Sequence, residues 1–234
     1  MGLIINIETA TQVCSVALAK DGTLLALRER NEKNIHAEVL TNFVQEVLAE
    51  ASLELKDLDA VAVSMGPGSY TGLRIGVSTA KGLCYSLDKP LIAVSSLQAM
   101  ANFAAHELKD EITTNTLFTP MIDARRMEVY TTFYKPNMEE VGKIAPHIFS
   151  EESFIEEEKD NKLILTGDGS LKSQELFADR KNIFIFPEIL SSARGMITLS
   201  EKKFQAEQFE DVAYCEPFYL KEFIAGIPRV KGLR

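Results

Sequence analysis

Two stretches of this chain repeat one pattern, and the repetition limits the fold more than any single motif does. The run Pro120-Met121-Ile122-Asp123-Ala124-Arg125-Arg126-Met127-Glu128-Val129-Tyr130-Thr131-Thr132-Phe133 lays onto Ile5 to Leu18, with Asp123 opposite Glu8. Further along, Leu163-Ile164-Leu165-Thr166-Gly167-Asp168-Gly169-Ser170 echoes the apolar run from Asp59 that ends in Gly66-Pro67-Gly68-Ser69. Because the two echoes come in the same order, they argue for an internal duplication into two related α/β lobes. The second copy is trimmed, since the span from Asp123 to Asp168 is shorter than that from Glu8 to Pro67. Lys109-Asp110-Glu111 and Thr113-Thr114-Asn115 look like the connection, which places the lobes at 1–110 and 111–234.

Within the first copy, Leu3 to Glu8, Val13 to Ala19 and Thr23 to Arg28 are expected to form a three-strand meander. Asp21-Gly22 marks its second turn, because a primed hairpin turn needs positive φ at both central residues. Apolar residues at Leu40, Phe43, Val44, Val47, Leu48 and Ala51 recur at helical spacing. Asp59 to Met65 is β-branched and nearly continuously apolar, as in a strand covered on both faces. After it, Gly66-Pro67-Gly68 stops the strand, Ser69 can cap a helix, and Tyr70 to about Ser86 looks helical. Pro90 to Ser95 and Leu97 to about Leu108 add a strand and a helix. The last residues, 230–234, are basic and expected to be mobile.

The strand-to-helix junction at Gly66 is the first place to look for chemistry. Backbone amides and a helix dipole converge there, which suits an anion or a nucleotide phosphate, while a tight turn with close helix packing explains the glycines equally well. Neither a Walker string nor G-x-G-x-x-G is present, since Thr71 holds the third glycine position. Inside the helix, Gly72, Gly76 and Ala80 stand four residues apart. Glycine there costs roughly 0.5–1 kcal/mol against alanine, so a compensating close approach is expected, from the same chain or from a partner. His36, His106 and His147 lack the spacing of a zinc pair, and no Ser-His-Asp set is apparent. Cys14, Cys84 and Cys215 lie in apolar patterns and read as reduced thiols.

With 46% hydrophobic residues the chain can build a sizeable core. Its 25 basic and 34 acidic residues give a net charge of −9, which disfavours direct, unaided binding of RNA. No apolar run is long enough for a membrane span, and the chain enters the strand-like Leu3-Ile4-Ile5-Asn6-Ile7 at once, so a cytoplasmic location is expected.

Gly66-Pro67-Gly68-Ser69-Tyr70-Thr71-Gly72-Leu73-Arg74-Ile75-Gly76 closely resembles the signature of the bacterial TsaB (YeaZ) family, and Tyr214 to Lys221 resembles its late Pro-x-Tyr-Leu-Arg segment, with Lys221 in place of Arg. Glu8-Thr9-Ala10-Thr11 is similar to the turn with which the actin, sugar kinase and Hsp70 superfamily holds phosphate and magnesium, although Glu8 stands where that superfamily usually has the shorter Asp. The resemblance implies an actin-like, ribonuclease H-like fold. It also implies a noncatalytic subunit of the machinery that makes threonylcarbamoyladenosine at adenosine 37 of tRNA, one that pairs with TsaD, helps recruit the ATPase TsaE, and meets tRNA only through the complex. Self-association is expected when TsaD is absent. Leu40, Val44, Leu73, Val77 and Ala80 are the expected contacts, and Val77→Glu is expected to break pairing without unfolding the lobe. Glu8, Thr9, Thr11, Gly66, Gly68, Ser69 and Asp123 are the candidates for a nucleotide or phosphate cleft. No metal ligand or catalytic residue is assigned, and ATP or ADP is the cofactor that the resemblance allows. A kinase or ATPase using Glu8, Thr9, Thr11 and Asp123 stays open as the alternative.

Overall fold

The computed structural model describes residues 2–221, and the basic end at 230–234 lies outside them. The chain opens with β1 (Leu3–Glu8), β2 (Val13–Lys20) and β3 (Thr23–Asn31), then α1 (His36–Glu50), β4 (Ala60–Ser64), α2 (Tyr70–Leu87), β5 (Leu91–Val94) and α3 (Ser96–Glu107). It continues with β6 (Thr116–Asp123), β7 (Glu128–Tyr134), β8 (Glu140–Ile148), α4 (Ile155–Asp160), β9 (Lys162–Thr166), β10 (Ile183–Phe186) and α5 (Ile197–Gln205). Asp21 and Gly22 take φ of 52° and 75°, the left-handed pair that the β2–β3 turn requires.

The two sheets are wired identically. The first runs β3-β2-β1-β4-β5 and the second β8-β7-β6-β9-β10, each with an antiparallel meander joined to two parallel strands. Glu8 ends β1 and Asp123 ends β6. Just past β4 and β9, Gly66 and Gly167 take φ of 107° and 93°. Such values suit glycine, which lacks the Cβ that crowds that region. The duplication is therefore present in hydrogen bonding and backbone conformation as well as in residue pattern. Between the landmarks, what is trimmed is the counterpart of α1, whose 15 residues are answered by the six of α4, and beyond them the counterpart of α2 is reduced to a short 3₁₀ turn at Asp168–Ser173.

The helices that close each half cross to the other. The α3 helix follows β5 but packs on β6, β7 and β9, whereas α5 follows β10 and packs on β1, β3 and β5. One apolar cluster consequently runs through both halves, from Ile4 and Ile92 through Met100 to Phe118, Ile164 and Ile197. A second lies beneath α1 and α2 and includes Ile5, Ile7, Leu18, Val47, Val61 and Val63.

That second core corrects the expected partner contacts. Leu40, Val44, Leu73, Val77 and Ala80 are 1%, 3%, 0%, 4% and 0% exposed, so they face their own sheet and core rather than solvent. The reason is geometric: a helix lying on a sheet has one apolar stripe, and that stripe looks the same in sequence whether sheet or partner covers it. The glycines resolve differently as well. A Cβ at Gly72 would strike the Thr9 carbonyl, and one at Gly76 the Thr9 hydroxyl, so this spacing admits the β1–β2 turn and not another helix. Among the described residues Gly82 has no such neighbour, since a Cβ there meets nothing within 4 Å.

Chemical denaturation of single variants checks this packing. Gly82→Ala is expected to stabilise the chain by about 0.5–1 kcal/mol through helix propensity, whereas Gly76→Ala is expected to destabilise it. Val77→Glu is expected to cost several kcal/mol by burying a carboxylate, and so to unfold the lobe rather than act selectively on pairing.

Candidate functional site

The edges of the two halves face each other across a cleft of about 1030 Å³. The turn after β1 brings Thr11 to one wall. Beside it stand Gly68 and Ser69 at the start of α2, together with Lys33 and His36 from the entry to α1. The opposite wall is the β6–β7 turn, with Asp123, Arg125 and Arg126, and Asp168 next to it. A late segment supplies Tyr219 and Lys221.

The α2 wall is held by local capping. Ser69 is the N-cap, its hydroxyl accepting from the Gly72 amide at 3.2 Å, while its own amide donates to the Ala10 carbonyl at 2.6 Å. That second bond seats the β1–β2 turn on the helix start. A Cβ at Gly68 would collide with Ala10, which accounts for that glycine.

Four of the seven candidate residues therefore line the cleft: Thr11, Gly68, Ser69 and Asp123. The other three lie elsewhere. Glu8 and Thr9 are 0% exposed, beneath the floor. One Glu8 oxygen accepts the Ala10 amide at 2.6 Å, and the other has no hydrogen-bond partner among the described residues. Burial pushes its pKa from 4.5 up to about 7, against the opposing pull of the Ala10 amide, the Ser64 hydroxyl and the Thr9 amide. Thr9 donates its amide to Ser64 Oγ at 3.2 Å. Gly66 faces the late segment, where a Cβ would meet the Phe218 carbonyl. The sequence pattern placed these residues at the right strand ends, but it could not say which side of the turn faced solvent.

Asp123 is exposed to the cleft yet already occupied. Its Oδ1 accepts the Arg125 amide at 2.5 Å and Lys172 Nζ at 2.8 Å, and its amide donates to Asp168 Oδ1 at 3.1 Å. Burial raises the Asp168 pKa, the largest of several opposing effects. Among the described residues no group of three or more His, Cys, Asp or Glu converges as metal ligands would. The thiols are poor nucleophiles: burial pushes Cys14 up to about 12 and Cys84 up to about 11.

Several cleft residues were not singled out from sequence. The Arg125-Arg126 doublet lies inside the repeat, and both residues take positive φ, 71° and 50°. The late segment is a strap: Glu210 pairs with Leu91 at the sheet edge, Lys81 Nζ donates to the Ala213 and Cys215 carbonyls, and the Phe218 amide donates to Met65 O at 2.7 Å. Its end sets Tyr219 against Tyr70, with ring centroids 4.8 Å apart at a 36° tilt, and pairs Lys221 with Glu128 of β7.

A family model described as TsaD, tRNA N6-adenosine threonylcarbamoyltransferase, matches residues 29–222. Over 230 residues the chain is 30% identical to the tRNA threonylcarbamoyladenosine biosynthesis protein TsaB of Escherichia coli K12, covering 95% of this chain and 96% of that protein. The chain belongs to the TsaB (YeaZ) family. The solved structure of YeaZ from Pseudomonas aeruginosa matches with a TM-score of 0.81 and 26% identity, over 94% of this chain and 100% of that one. A more distant structure, the activator of 2-hydroxyisocaproyl-CoA dehydratase from Clostridium difficile with bound ADPNP, shares the fold at a TM-score of 0.50 and 8% identity, over 90% of this chain and 99% of that one. The duplicated lobes are thus of the actin-like type.

Glu8 gives a pH signature. The folded state keeps its proton up to about pH 7, whereas the unfolded chain releases it near 4.5, so this residue's contribution favours folding at low pH and fades as the pH rises between those values. Glu8→Gln keeps the acceptor for the Ala10 amide and removes the ionisation. Its stability relative to the parent is expected to grow by about 3 kcal/mol from pH 4.5 to 8, as read by urea denaturation across that range.

Proposed function

We propose that this protein is a noncatalytic accessory subunit for threonylcarbamoylation of tRNA adenosine 37, pairing with TsaD, helping recruit the ATPase TsaE, and meeting tRNA only through that complex. The full-length match to a protein named for threonylcarbamoyladenosine biosynthesis supports the pathway. The observation that carries the accessory role is the state of the two strand-end carboxylates: Glu8 is sealed under the floor, and Asp123 is held by Lys172 and by its own turn. Neither is free to serve as a base.

The partner surface in this reading is the outer face of α1 and α2, and it also serves the homodimer formed in the absence of TsaD. On α2 that face presents Ser78, Gly82 and the 87% exposed Tyr85. Gly82 suits a close approach by another helix, because nothing among the described residues uses the space above it.

Reconstituted modification of tRNA with TsaC, TsaD and TsaE from the same organism tests the role: activity is expected to collapse when this protein is omitted, and activity indifferent to it rejects the reading. Gly82→Arg fills the open position with a good helix former. It is expected to weaken pairing with TsaD by at least about tenfold, a loss of about 1.4 kcal/mol, while leaving the melting temperature unchanged or raised.

A further inference from the structure

The strap runs the length of α2. It starts beyond the C-terminal end of that helix, where the Glu210 amide donates to Leu91 O at 2.9 Å, and reaches its first turn, where the Phe218 amide donates to Met65 O at 2.7 Å and Tyr219 meets Tyr70. Midway, Lys81 Nζ donates to the Ala213 and Cys215 carbonyls at 3.2 and 3.0 Å. Val212 and Cys215 pack, half-buried, against the core beneath the helix. Elsewhere the strap stands off: a notch of about 240 Å³ separates it from α2, with Arg74, Ser78 and Lys81 on one side and Glu216 and Pro217 on the other. A segment held by a few polar bonds and little buried apolar surface opens locally well below the stability of the whole chain.

Tyr214 lies between the two carbonyls that Lys81 holds and is 82% exposed, while Tyr85, 87% exposed, follows Lys81 by one turn on the same side of α2. No other large hydrophobic side chain among the described residues is as open to solvent. The clamp therefore fixes two exposed aromatic rings on the side of the helix that carries the open position at Gly82. Tyrosine is over-represented among residues that dominate binding, because its ring supplies contact area with little rotamer entropy to lose. Towards the other end of this face the exposed Arg74 lies over the Tyr70 ring, 4.8 Å from its centroid, and makes no ion pair among the described residues. Aromatic area at one end and an uncompensated guanidinium at the other complement a surface that carries apolar groups and a carboxylate.

We propose that the strap is part of the partner surface: TsaD, presenting a carboxylate towards Arg74, covers Tyr85 and Tyr214 together, and pairing thereby holds the strap down on α2. The inference rests on the accessory reading and extends its surface from a helix face to that face together with the segment latched beside it. Lys81 is a positioning residue in this arrangement. It keeps Tyr214 in place before the partner arrives, so less order has to be gained on binding. The linkage is reciprocal, since a partner that binds the latched strap better must also make it open less often.

Amide hydrogen exchange of the full chain, read by mass spectrometry over residues 210–219, tests this with and without TsaD and at several concentrations of the chain itself. In the free chain Lys81→Met is expected to speed exchange there by about tenfold, through loss of a charged hydrogen-bond clamp, with the melting temperature little changed. Saturating TsaD is expected to slow exchange of the parent strap by at least about tenfold. Tyr214→Ser, made at an exposed position, is expected to weaken pairing by at least about tenfold at an unchanged melting temperature, and Arg74→Gln by a few-fold. Lys81→Met is expected to weaken pairing in the parent and to add almost nothing in the Tyr214→Ser background, because it acts through that ring. No binding of TsaD at all rejects the accessory reading and this inference with it. Pairing that Gly82→Arg weakens, while the strap exchanges no more slowly in the complex or the Lys81 and Tyr214 effects simply add, overturns the inference alone. Protection that grows with the chain's own concentration and not with TsaD assigns the strap to a second copy and overturns it too.

Discussion

Everything around the cleft depends on the contact between the β1–β2 turn and the start of α2. The Ala10 carbonyl accepts the Ser69 amide at 2.6 Å, and Gly68, Gly72 and Gly76 are the positions at which any side chain would collide with Ala10 or Thr9. Three glycines near or within a helix are expensive in isolation. They are tolerated because the approach they permit seals Glu8 and Thr9 under the floor and leaves Thr11 and Ser69 facing the open space. One backbone contact thereby decides which residues of a phosphate-type turn are accessible. It also decides that the acidic one is not.

Much of the architecture was legible in the sequence because duplication leaves its mark at several levels at once. The alignment of Asp123 with Glu8 became two strand ends at equivalent places in two sheets of identical order, and the Gly66 and Gly167 landmarks share a left-handed conformation. The site was less legible. Amphipathic spacing in α1 and α2 identified a buried stripe correctly but attached it to the wrong neighbour, since Leu40 and Val77 meet their own core. Periodicity reports that a face is covered and carries no information on what covers it. The cations of the cleft were invisible for a different reason. Lys33, Arg125 and Lys221 are separated along the chain and become neighbours only through the pairing of the lobes and the return of the strap.

The accessory role proposed above is compatible with a match to a family model described as a transferase, because a shared fold does not fix the chemistry it carries. Two carboxylates stand at the ends of β1 and β6, and neither is free, each for its own reason. Glu8 is withdrawn by burial, which favours its neutral form, and Asp123 by an ion pair with Lys172 whose ammonium is itself largely enclosed. Either change alone would disturb a metal-bearing site, and the two together leave no carboxylate facing the cleft unpaired except Asp168, which burial also holds toward neutrality.

The strap makes the cleft and the outer face of α2 neighbours of one segment. Lys81, on α2, holds its carbonyls at Ala213 and Cys215, and a few residues later the same segment contributes Tyr219 and Lys221 to the cleft wall. Between those points it is anchored by a backbone bond from Phe218 to Met65 and by the tilted ring contact of Tyr219 with Tyr70, at the first turn of the helix. Beyond Tyr219 it reaches Glu128 on the other sheet through Lys221. A body that lifts the strap off α2 therefore also removes a cation and an aromatic ring from the cleft wall and releases Glu128 from its partner. The charge of the cleft is set partly by what lies on the outside of the helix.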